Sequence, residues 1–419
     1  MEIPLSNPDI TEKEKEAIMQ VIDSPNLSLG PKLNEFEERF ADYIGSKYAI
    51  AVNSGTSGLH LCIRALDIKD EDRVLISPFG FIASANCILF ERAKPVFVDI
   101  DEETLNIDIN KLEDEIKKLR IKSKRFKAVL PVHIFGRPCE MDEIMELAER
   151  YELQVIEDAC EAVGAKYLIN SPELKTQNLN VKMNKESREK SEQRTGINCK
   201  EKEEPNRIWK KVGTFGRCGV FAFYPNKQIT TGEGGMIVTD DENTARLCRS
   251  MRNQGRAENG GWLQYERLGY NYRISDINCA LGIAQLERID EILIKRENVA
   301  RLYNKKLAEI NELILPQFEK NKKVSWFVYV IRLSNEFSQE DRDLILSRLK
   351  EKGIGCSNYF SPIHLQHFYR KMFGYKKGDF SITERVSERT IALPFYNNLR
   401  DEQINFVCKS LKNIIYEVK

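Results

Sequence analysis

Short apolar runs alternate with helical patterns of apolar residues along the first 160 residues of the chain. The runs have the length and β-branched content of buried strands, and they occur at 48–52, 74–76, 95–99, 128–132 and 154–158. Helical patterns lie between them at 59–65, 81–90, 108–119 and 141–151. This order of elements predicts an α/β fold with a mostly parallel sheet that helices cover on both faces. In such a sheet, ligands bind beyond the carboxyl ends of the strands.

The pattern changes in the second half of the chain. A long helical pattern spans 275–309, and shorter strand and helix patterns follow it to the end. We therefore expect a large α/β domain over residues 1–274, a connecting long helix over 275–309 and a small C-terminal α+β domain over 310–419. Within the small domain, residues 353–357 have the pattern of a short strand.

Residues 168–207 interrupt the large domain with a polar, charged stretch that contains few apolar residues. A segment of this composition buries too little apolar surface to fold by itself. We expect a surface insertion, because a structureless loop of this length is uncommon inside a compact domain. A solvated excursion without chemistry is the simpler interpretation. The alternative is a lid over the active site or a contact between subunits.

The composition argues against several classes of protein. Lysine plus arginine and aspartate plus glutamate both number 64 among the 419 residues, so neither nucleic acid nor an anionic membrane is expected as a partner. No apolar run is long enough to cross a membrane, and the first residues lack the pattern of a secretory signal. The ten cysteines form no CxxC pair and the four histidines lack metal-ligand spacing, so we expect a reducing cytoplasm and no metal.

One lysine stands where a solvated charge would be poorly placed. Lys227 follows the apolar run 219–224 and a turn made by Pro225 and Asn226, and the glycine-rich stretch 232–235 leads into another β-branched run. A buried amine loses its proton more easily, which makes it a nucleophile suited to a Schiff base with a carbonyl. We hypothesise that Lys227 carries pyridoxal 5′-phosphate (PLP). The alternative is an ordinary lysine in a connection between two strands.

PLP chemistry also needs a carboxylate at the pyridine nitrogen, donors for the phosphate and a flat or apolar group over the ring. Asp158 ends one of the apolar runs, and Phe81 begins one of the helical patterns. The turn of Gly55, Thr56 and Ser57 joins a strand to a helix, a geometry that presents N–H groups and hydroxyls to an anion. Alternatively, its hydroxyls simply cap the helix. No GxSxG or Walker A motif is present, and no GxGxxG follows the first strand, so no other chemistry is favoured.

Five motifs occur together along the chain: NSGTSGLHL at 53–61, AKPVFVD at 93–99, VIEDA at 155–159, FYPNK at 223–227 and GYNYR at 269–273. In this combination the chain resembles the DegT/DnrJ/EryC1/StrS family of PLP-dependent sugar-nucleotide aminotransferases. The resemblance runs from about Ile3 to the last helical pattern, apart from residues 168–207. It implies fold type I of the PLP-dependent transferases, with a large sheet domain and a smaller C-terminal α+β domain.

The resemblance implies a role for each candidate residue. Lys227 would form the Schiff base and move the proton, and Asp158 would pair with the pyridine nitrogen. Phe81 would stack on the ring, and Asn271 would reach the phosphate region of the neighbouring subunit's cofactor. The phosphate would be held by the turn residues Gly55, Thr56 and Ser57. The role of Asn271 implies a homodimer with its active sites at the subunit interface.

Three features depart from the family's pattern. Glu161 stands at the third position after Asp158, where many members have glutamine or histidine, and the resemblance puts it near the cofactor hydroxyl. Ala222 stands where many members have serine, so we expect one phosphate donor to be missing. Residues 168–207 lengthen the separation between Asp158 and Lys227. Because recognisable sequence flanks them on both sides, we expect the core to be undisturbed.

Stretches at 3–6, 361–366 and 393–396 are similar to those of GDP-perosamine synthases and their relatives. This implies transamination at C4 of a nucleotide-linked 4-keto-6-deoxy sugar with glutamate as amino donor, for cell-surface polysaccharide or glycan biosynthesis. The alternatives are amination of a 3-keto sugar nucleotide and a regulatory homologue that binds PLP without turnover. Tyr359 and His364 are candidates for the sugar pocket, although His364 could equally be a structural histidine.

Overall fold

A computed structural model describes residues 2–120, 126–170, 207–257, 261 and 263–419 of the chain. Its strands, in chain order, are β1 (Tyr48–Val52), β2 (Arg73–Ile76), β3 (Lys94–Phe97), β4 (Phe126–Leu130), β5 (Gln154–Asp158), β6 (Lys166–Asn170), β7 (Arg207–Lys211), β8 (Cys218–Ala222), β9 (Gly235–Thr239), β10 (Leu313–Ile314), β11 (Lys322–Lys323), β12 (Tyr329–Leu333) and β13 (Thr390–Leu393). The strands β1 to β5 match the five apolar runs of the sequence to within two residues at each end.

The α-helices, in chain order, are α1 (Glu12–Ile22), α2 (Pro31–Ile44), α3 (Gly55–Ala65), α4 (Ala83–Phe90), α5 (Ile109–Arg120), α6 (Met141–Tyr151), α7 (Glu242–Arg252), α8 (Asp276–Glu287), α9 (Ile289–Leu307), α10 (Gln339–Glu351), α11 (His367–Phe373), α12 (Ser381–Ser387) and α13 (Asp401–Val418). Local sequence explains several of their ends. For example, α2 begins at Pro31, whose missing N–H costs nothing there, and stops at Gly45, whose φ of 87° favours glycine.

The central sheet has seven strands in the order β1-β9-β8-β5-β4-β2-β3. Neighbours from β3 to β8 pair in parallel, whereas β9 pairs antiparallel with both β8 and β1. Six of the seven strands therefore point the same way, which confirms the α/β fold with a mostly parallel sheet. The carboxyl ends of β1, β2, β5 and β8 share one edge of this sheet, and candidate site residues follow each of them.

Apolar side chains on both faces of the sheet fix the strand that leads to Lys227. Successive residues of β8 alternate between the faces, so Val220 joins one core cluster and Phe221 the other. Phe40 of α2 contacts Phe221 and Phe223, with ring centroids 5.3 and 5.6 Å apart. Each such buried side chain stabilises the fold by about 1.5–3 kcal/mol, so the end of β8 is firmly held.

The two ends of the predicted insertion are ordered as a hairpin. Strand β6 pairs antiparallel with β7, from Lys166 opposite Lys211 to Asn170 opposite Arg207, and β11 pairs with the other edge of β6. The predicted boundaries at 168 and 207 therefore fall inside strands, which the polar composition concealed. The remainder of the predicted insertion, 171–206, lies outside the described residues.

The prediction of one long helix over 275–309 is wrong. The structure has two consecutive helices, α8 and α9, separated at Arg288, which has φ −105° and ψ 7°. Arg288 is buried, and its guanidinium donates to Glu14 Oε1 at 2.8 Å and to the Asp9 carbonyl oxygen at 3.3 Å. These bonds anchor Arg288 to the N-terminal segment at the point where the chain turns. The apolar spacing of the sequence continues across this point, so the pattern did not indicate the break.

The C-terminal part of the chain contains a second sheet of three strands in the order β10-β12-β13. Helices α9, α10 and α13 pack around it in a separate apolar cluster. Residues 353–357 form no strand, contrary to the prediction; Ile354 instead pairs with Ile3 and Ser357 with Ala392 as isolated bridges. Ile3 is completely buried in this cluster, so the N-terminal residues assigned to the large domain pack against the C-terminal part.

Candidate active site

Lys227 lies in the turn that connects β8 to β9. Its N–H donates to the Tyr224 carbonyl at 2.9 Å, which tightens the turn directly after Pro225. The side chain is only 13% exposed, and its Nζ is 3.8 Å from Glu161 Oε1 and 4.1 Å from the centroid of the Phe327 ring. The amine thus lies close to both a carboxylate and an aromatic face, two groups that favour a cation.

Glu161 is buried beside this amine. Its Oε2 accepts a hydrogen bond of 2.8 Å from the Phe135 N–H, and Phe135 adopts φ 54°, a left-handed conformation that aims the N–H at the carboxylate. Burial raises the pKa of Glu161 to about 7, while the Lys227 charge and the Phe135 hydrogen bond oppose that rise. Near neutral pH this side chain can therefore either hold or release a proton next to the lysine.

Asp158 ends β5 and is buried in the same region. Its Oδ2 accepts a hydrogen bond of 2.5 Å from Ser84 Oγ, and its Oδ1 accepts one of 3.1 Å from the Cys160 N–H. Ser84 belongs to the first turn of α4 and also lies 3.2 Å from the Phe81 carbonyl oxygen, so one hydroxyl links the carboxylate to the Phe81 turn. The Phe81 ring itself is 61% exposed and available to stack on a ligand.

The predicted phosphate turn forms the start of α3. Ser54 is the N-cap: its Oγ accepts from the Ser57 N–H at 3.1 Å and lies 2.9 Å from the Ser57 hydroxyl. Ser57 is thereby occupied within the turn, in the manner of the capping alternative. The N–H groups of Gly55 and Thr56 have no acceptor inside the helix, and the helix start favours an anion. Ser57 therefore stabilises the turn, and its hydroxyl is already engaged with Ser54.

Gly55 is required by close packing. A Cβ at this position would lie 2.9 Å from both the Ala222 Cβ and the Cys160 Sγ, closer than real Cβ atoms approach a neighbour. The turn after β1 therefore touches the end of β8 and the residue that follows Asp158. Ala222 contributes a methyl group at this contact, so the departure noted in the sequence lies directly at the cradle and offers no hydroxyl.

Asn271 is exposed at the edge of the same region. Its carbonyl oxygen accepts a hydrogen bond of 3.4 Å from Asn53 Nδ2, and it forms an isolated bridge with Asn253. Asn271 is thus tied to the turn before Gly55 through its main chain, and its contact with a second subunit stays a prediction.

The two candidates for the sugar pocket have different surroundings. Burial raises the pKa of Tyr359, and the nearby Glu161 charge adds to that rise, so Tyr359 lies beside the lysine pocket. His364 is completely buried, and its Nε2 pairs with Glu384 Oε1 at 3.0 Å. Phe380 packs against its ring at 4.7 Å, and burial lowers the pKa of His364. The surroundings of His364 are those of the structural alternative.

Three residues that the sequence analysis did not single out organise the pocket. Ser84 holds Asp158, as described above. Gln228 follows the lysine, and its Nε2 donates to the Glu161 carbonyl at 2.7 Å and to the Ser325 carbonyl at 2.8 Å. Arg296 of α9 donates to the Lys227 carbonyl at 2.9 Å. The only signal in the sequence was a polar residue within an apolar pattern, and that signal does not reveal its partner.

The donor set of this pocket fits PLP. The buried Asp158 carboxylate can hold a proton on a ring nitrogen, and the start of α3 can bind a phosphate in a cradle that only glycine leaves open at position 55. Lys227 supplies the amine. In the described part of the chain no group of three or more His, Cys, Asp or Glu is arranged to hold a metal ion.

A sequence profile of the DegT/DnrJ/EryC1/StrS aminotransferase family matches residues 8–412. The chain belongs to this family. Its sequence is 39% identical to the uncharacterised protein MJ1066 of Methanocaldococcus jannaschii, over 99% of this chain and 98% of that one. It is 35% identical to the GDP-perosamine synthase of Caulobacter vibrioides, over 99% and 98% of the two chains.

Solved structures of aminotransferases share the fold. The structure of PseC from Helicobacter pylori, an aminotransferase of pseudoaminic acid biosynthesis, covers 100% of both chains with a TM-score of 0.83 and 26% identity. The protein is therefore a PLP-dependent sugar aminotransferase of this family. In the described ranges, no helix has the length and apolar character needed to cross a membrane.

Proposed function

We propose that this enzyme transfers the amino group of glutamate to C4 of a nucleotide-linked 4-keto-6-deoxy sugar, for cell-surface polysaccharide or glycan biosynthesis. The observation that carries the proposal is the full-length similarity to GDP-perosamine synthases at up to 35% identity. A relative named for spore coat polysaccharide biosynthesis, 34% identical over 99% of this chain, supports the polysaccharide context.

Lys227 is the residue that we assign to the covalent attachment of the cofactor and to proton movement at its Nζ. When bound, PLP would supply an aldehyde carbon that carries the amino group from one substrate to the next and a ring that serves as the electron sink. Asp158 holds the ring nitrogen protonated, which keeps that sink effective. The N–H groups of Gly55 and Thr56 bind the phosphate, and Phe81 covers the ring.

Glu161 has a separate task in this proposal. Its carboxyl group lies 3.8 Å from Lys227 Nζ and shares that amine's environment, so it can keep a proton close to Nζ without being fully ionised. A glutamine at this position could donate a hydrogen bond but could not exchange a proton. We assign Tyr359, whose pKa the Glu161 charge helps to raise, to the sugar pocket.

We propose a homodimer whose active sites lie at the subunit interface, with Asn271 reaching the partner's cofactor. The exposed position of Asn271, tied by its main chain to Asn53, supports this arrangement. We also propose that the enzyme acts in the cytoplasm, because the described cysteines are free thiols, as in a reducing compartment. Light scattering of the purified protein should give twice the 48.5 kDa chain mass, and a monomer that still turns over would exclude a shared site.

The proposed reaction is tested by incubating the enzyme with glutamate and a panel of 4-keto and 3-keto sugar nucleotides. We expect a 4-amino sugar nucleotide, identified by mass and NMR, together with one equivalent of 2-oxoglutarate. The Lys227→Ala variant serves as the matched control and should form neither product. A 3-amino product would contradict the assigned carbon, and product formation by the control variant would contradict the assigned lysine.

A further inference from the structure

Arg296 lies on the buried side of α9, the helix that directly precedes the first strand of the C-terminal sheet. It is only 3% exposed, although most arginines lie at the surface. Its Nη2 donates to the Lys227 carbonyl at 2.9 Å. Its Nη1 lies 3.2 Å from the Phe327 carbonyl and 3.3 Å from the Trp326 carbonyl. One guanidinium thus joins the lysine turn to a segment one hundred positions further along the chain.

The charge of Arg296 has no ion-pair partner among the described residues; its hydrogen-bond acceptors are neutral carbonyls. Burial lowers the pKa of Arg296 to about 10, so the side chain still carries its charge at neutral pH. Burying such a charge is costly, and a neutral donor such as glutamine could tie carbonyl groups together at a lower cost. Compared with glutamine, the guanidinium adds a planar fork of several donors.

The segment that Arg296 holds forms one wall of the lysine pocket. Phe327 places its ring centroid 4.1 Å from Lys227 Nζ, and the same amine lies 3.8 Å from Glu161 Oε1. Gln228, the residue after the lysine, bonds Ser325 and the Glu161 main chain in the same way. The lysine turn, the Phe327 wall and the Glu161 loop are therefore fixed to each other by two adjacent ties.

We propose that Arg296 is a positioning residue for Lys227: by holding the Lys227 and Phe327 carbonyls together, it confines the amine between the aromatic ring and Glu161. This inference rests on the proposed role of Lys227. The confined amine faces the cofactor carbonyl in one orientation. Without the tie, the amine would sample many orientations. The consequence is a faster reaction of Lys227 with PLP rather than a merely more stable fold.

The test measures how fast the visible absorption band of the bound cofactor develops when PLP is added to the apo-protein at saturating concentration. We expect Arg296→Lys to slow this rate at least tenfold, because a single ammonium cannot hold both carbonyl groups in the geometry of the fork. Arg301→Lys is the matched control on the same helix, since the Arg301 side chain is 58% exposed and contacts Glu297 and the Phe318 ring, away from the lysine turn. The control should react at the wild-type rate.

A second variant keeps the proposal testable if Arg296→Lys does not fold. Phe327→Leu removes the ring and keeps an apolar side chain, and we expect it to slow the same rate. When both single variants fold, their combination should slow the reaction by less than the product of the two separate effects, because both act on the same amine. Wild-type rates in either single variant, or independent effects in the pair, would overturn the proposal.

The outcome is separable from failure of the proposed function. If the Lys227→Ala variant keeps the visible band, then the role of Lys227 itself is wrong, and the role of Arg296 falls with it. If that variant loses the band while Arg296→Lys reacts at the wild-type rate and only melts at a lower temperature, then Lys227 is the anchor and Arg296 is a structural residue.

Discussion

Two buried glutamates on either side of Asp158 have opposite environments. Glu157 lies inside the sheet and its carboxylate accepts four hydrogen bonds: Oε1 from the N–H groups of Phe215 and Gly216, and Oε2 from the Gly213 N–H and His133 Nε2, at 2.6 to 3.1 Å. These donors hold the pKa of Glu157 below its ordinary value although burial opposes them. Both of its carboxylate oxygens are hydrogen-bonded, and we assign it a structural role.

Glu161 has far fewer partners. One N–H, from Phe135, donates to its carboxylate, and the Lys227 amine lies 3.8 Å away. Burial therefore dominates, and the pKa of Glu161 rises to about 7. The comparison teaches that the number of aimed donors, more than burial, decides whether a buried carboxyl group is a fixed anion or a proton store. The proton store is the one beside Lys227.

The largest expected effect comes from removing the anion at Glu157. Glu157→Gln leaves the N–H donors of the 213–216 loop facing an amide group, which should lower the free energy of unfolding by about 3–5 kcal/mol. Urea denaturation of the apo-protein measures this. Glu149→Gln, at an exposed position of α6, is the control and should change little. A Glu157→Gln protein as stable as wild type would show that the four donors do not need a charge.

The pH dependence of stability should differ in sign at the two glutamates. The folded pKa of Glu161 is raised, so its contribution is fully present below the unfolded value of 4.5 and is lost as pH rises through about 7. Relative to Glu161→Gln, the wild-type apo-protein should lose about 3 kcal/mol over this window, from 1.36 kcal/mol per pKa unit. Glu157 has a lowered pKa, so its contribution should instead be lost as pH falls. Denaturation series from pH 4.5 to 7.5 measure the difference, and a flat difference curve would contradict the proton store.

A smaller effect is expected at Asp158. Its carboxylate accepts two hydrogen bonds, a number between the four of Glu157 and the one of Glu161. Ser84→Ala removes the 2.5 Å hydrogen bond to Asp158 Oδ2 and should raise the dissociation constant of PLP about tenfold, the size of one hydrogen bond to a charged group. Ser77→Ala also removes a buried hydroxyl near the end of β2, but one that bonds the Phe79 main chain instead of Asp158. Equal weakening by both variants would show a general packing effect and no specific support of Asp158.

The local sequence pattern was enough to predict the strands of the central sheet and the candidate site residues at their ends. Each apolar run of the α/β region became a strand because burial on both faces demands a continuous apolar stretch. Asp158 ends β5, Gly55 and Lys227 follow β1 and β8, and the common direction of these three strands brings their carboxyl ends to one edge.

Contacts between segments that are distant in the sequence could not be predicted from local sequence patterns. The break at Arg288 depends on Glu14, and the lysine turn depends on Arg296, whose charge lies in an otherwise apolar helical stripe. The polar ends of the predicted insertion lie in β6 and β7, which pair with each other, and β11 pairs with the other edge of β6. In each case a side chain or strand is explained by a partner far away in the sequence, and no local propensity names that partner.

The most direct test of the central claim is chemical trapping of the cofactor on its lysine. The holoenzyme is reduced with borohydride, digested and mapped by mass spectrometry, and the Lys227→Ala protein is treated in parallel. We expect one phosphopyridoxyl group on Lys227 of the wild-type protein and none on the variant. A label on a different lysine, or a visible cofactor band that survives in the Lys227→Ala protein, would contradict the account.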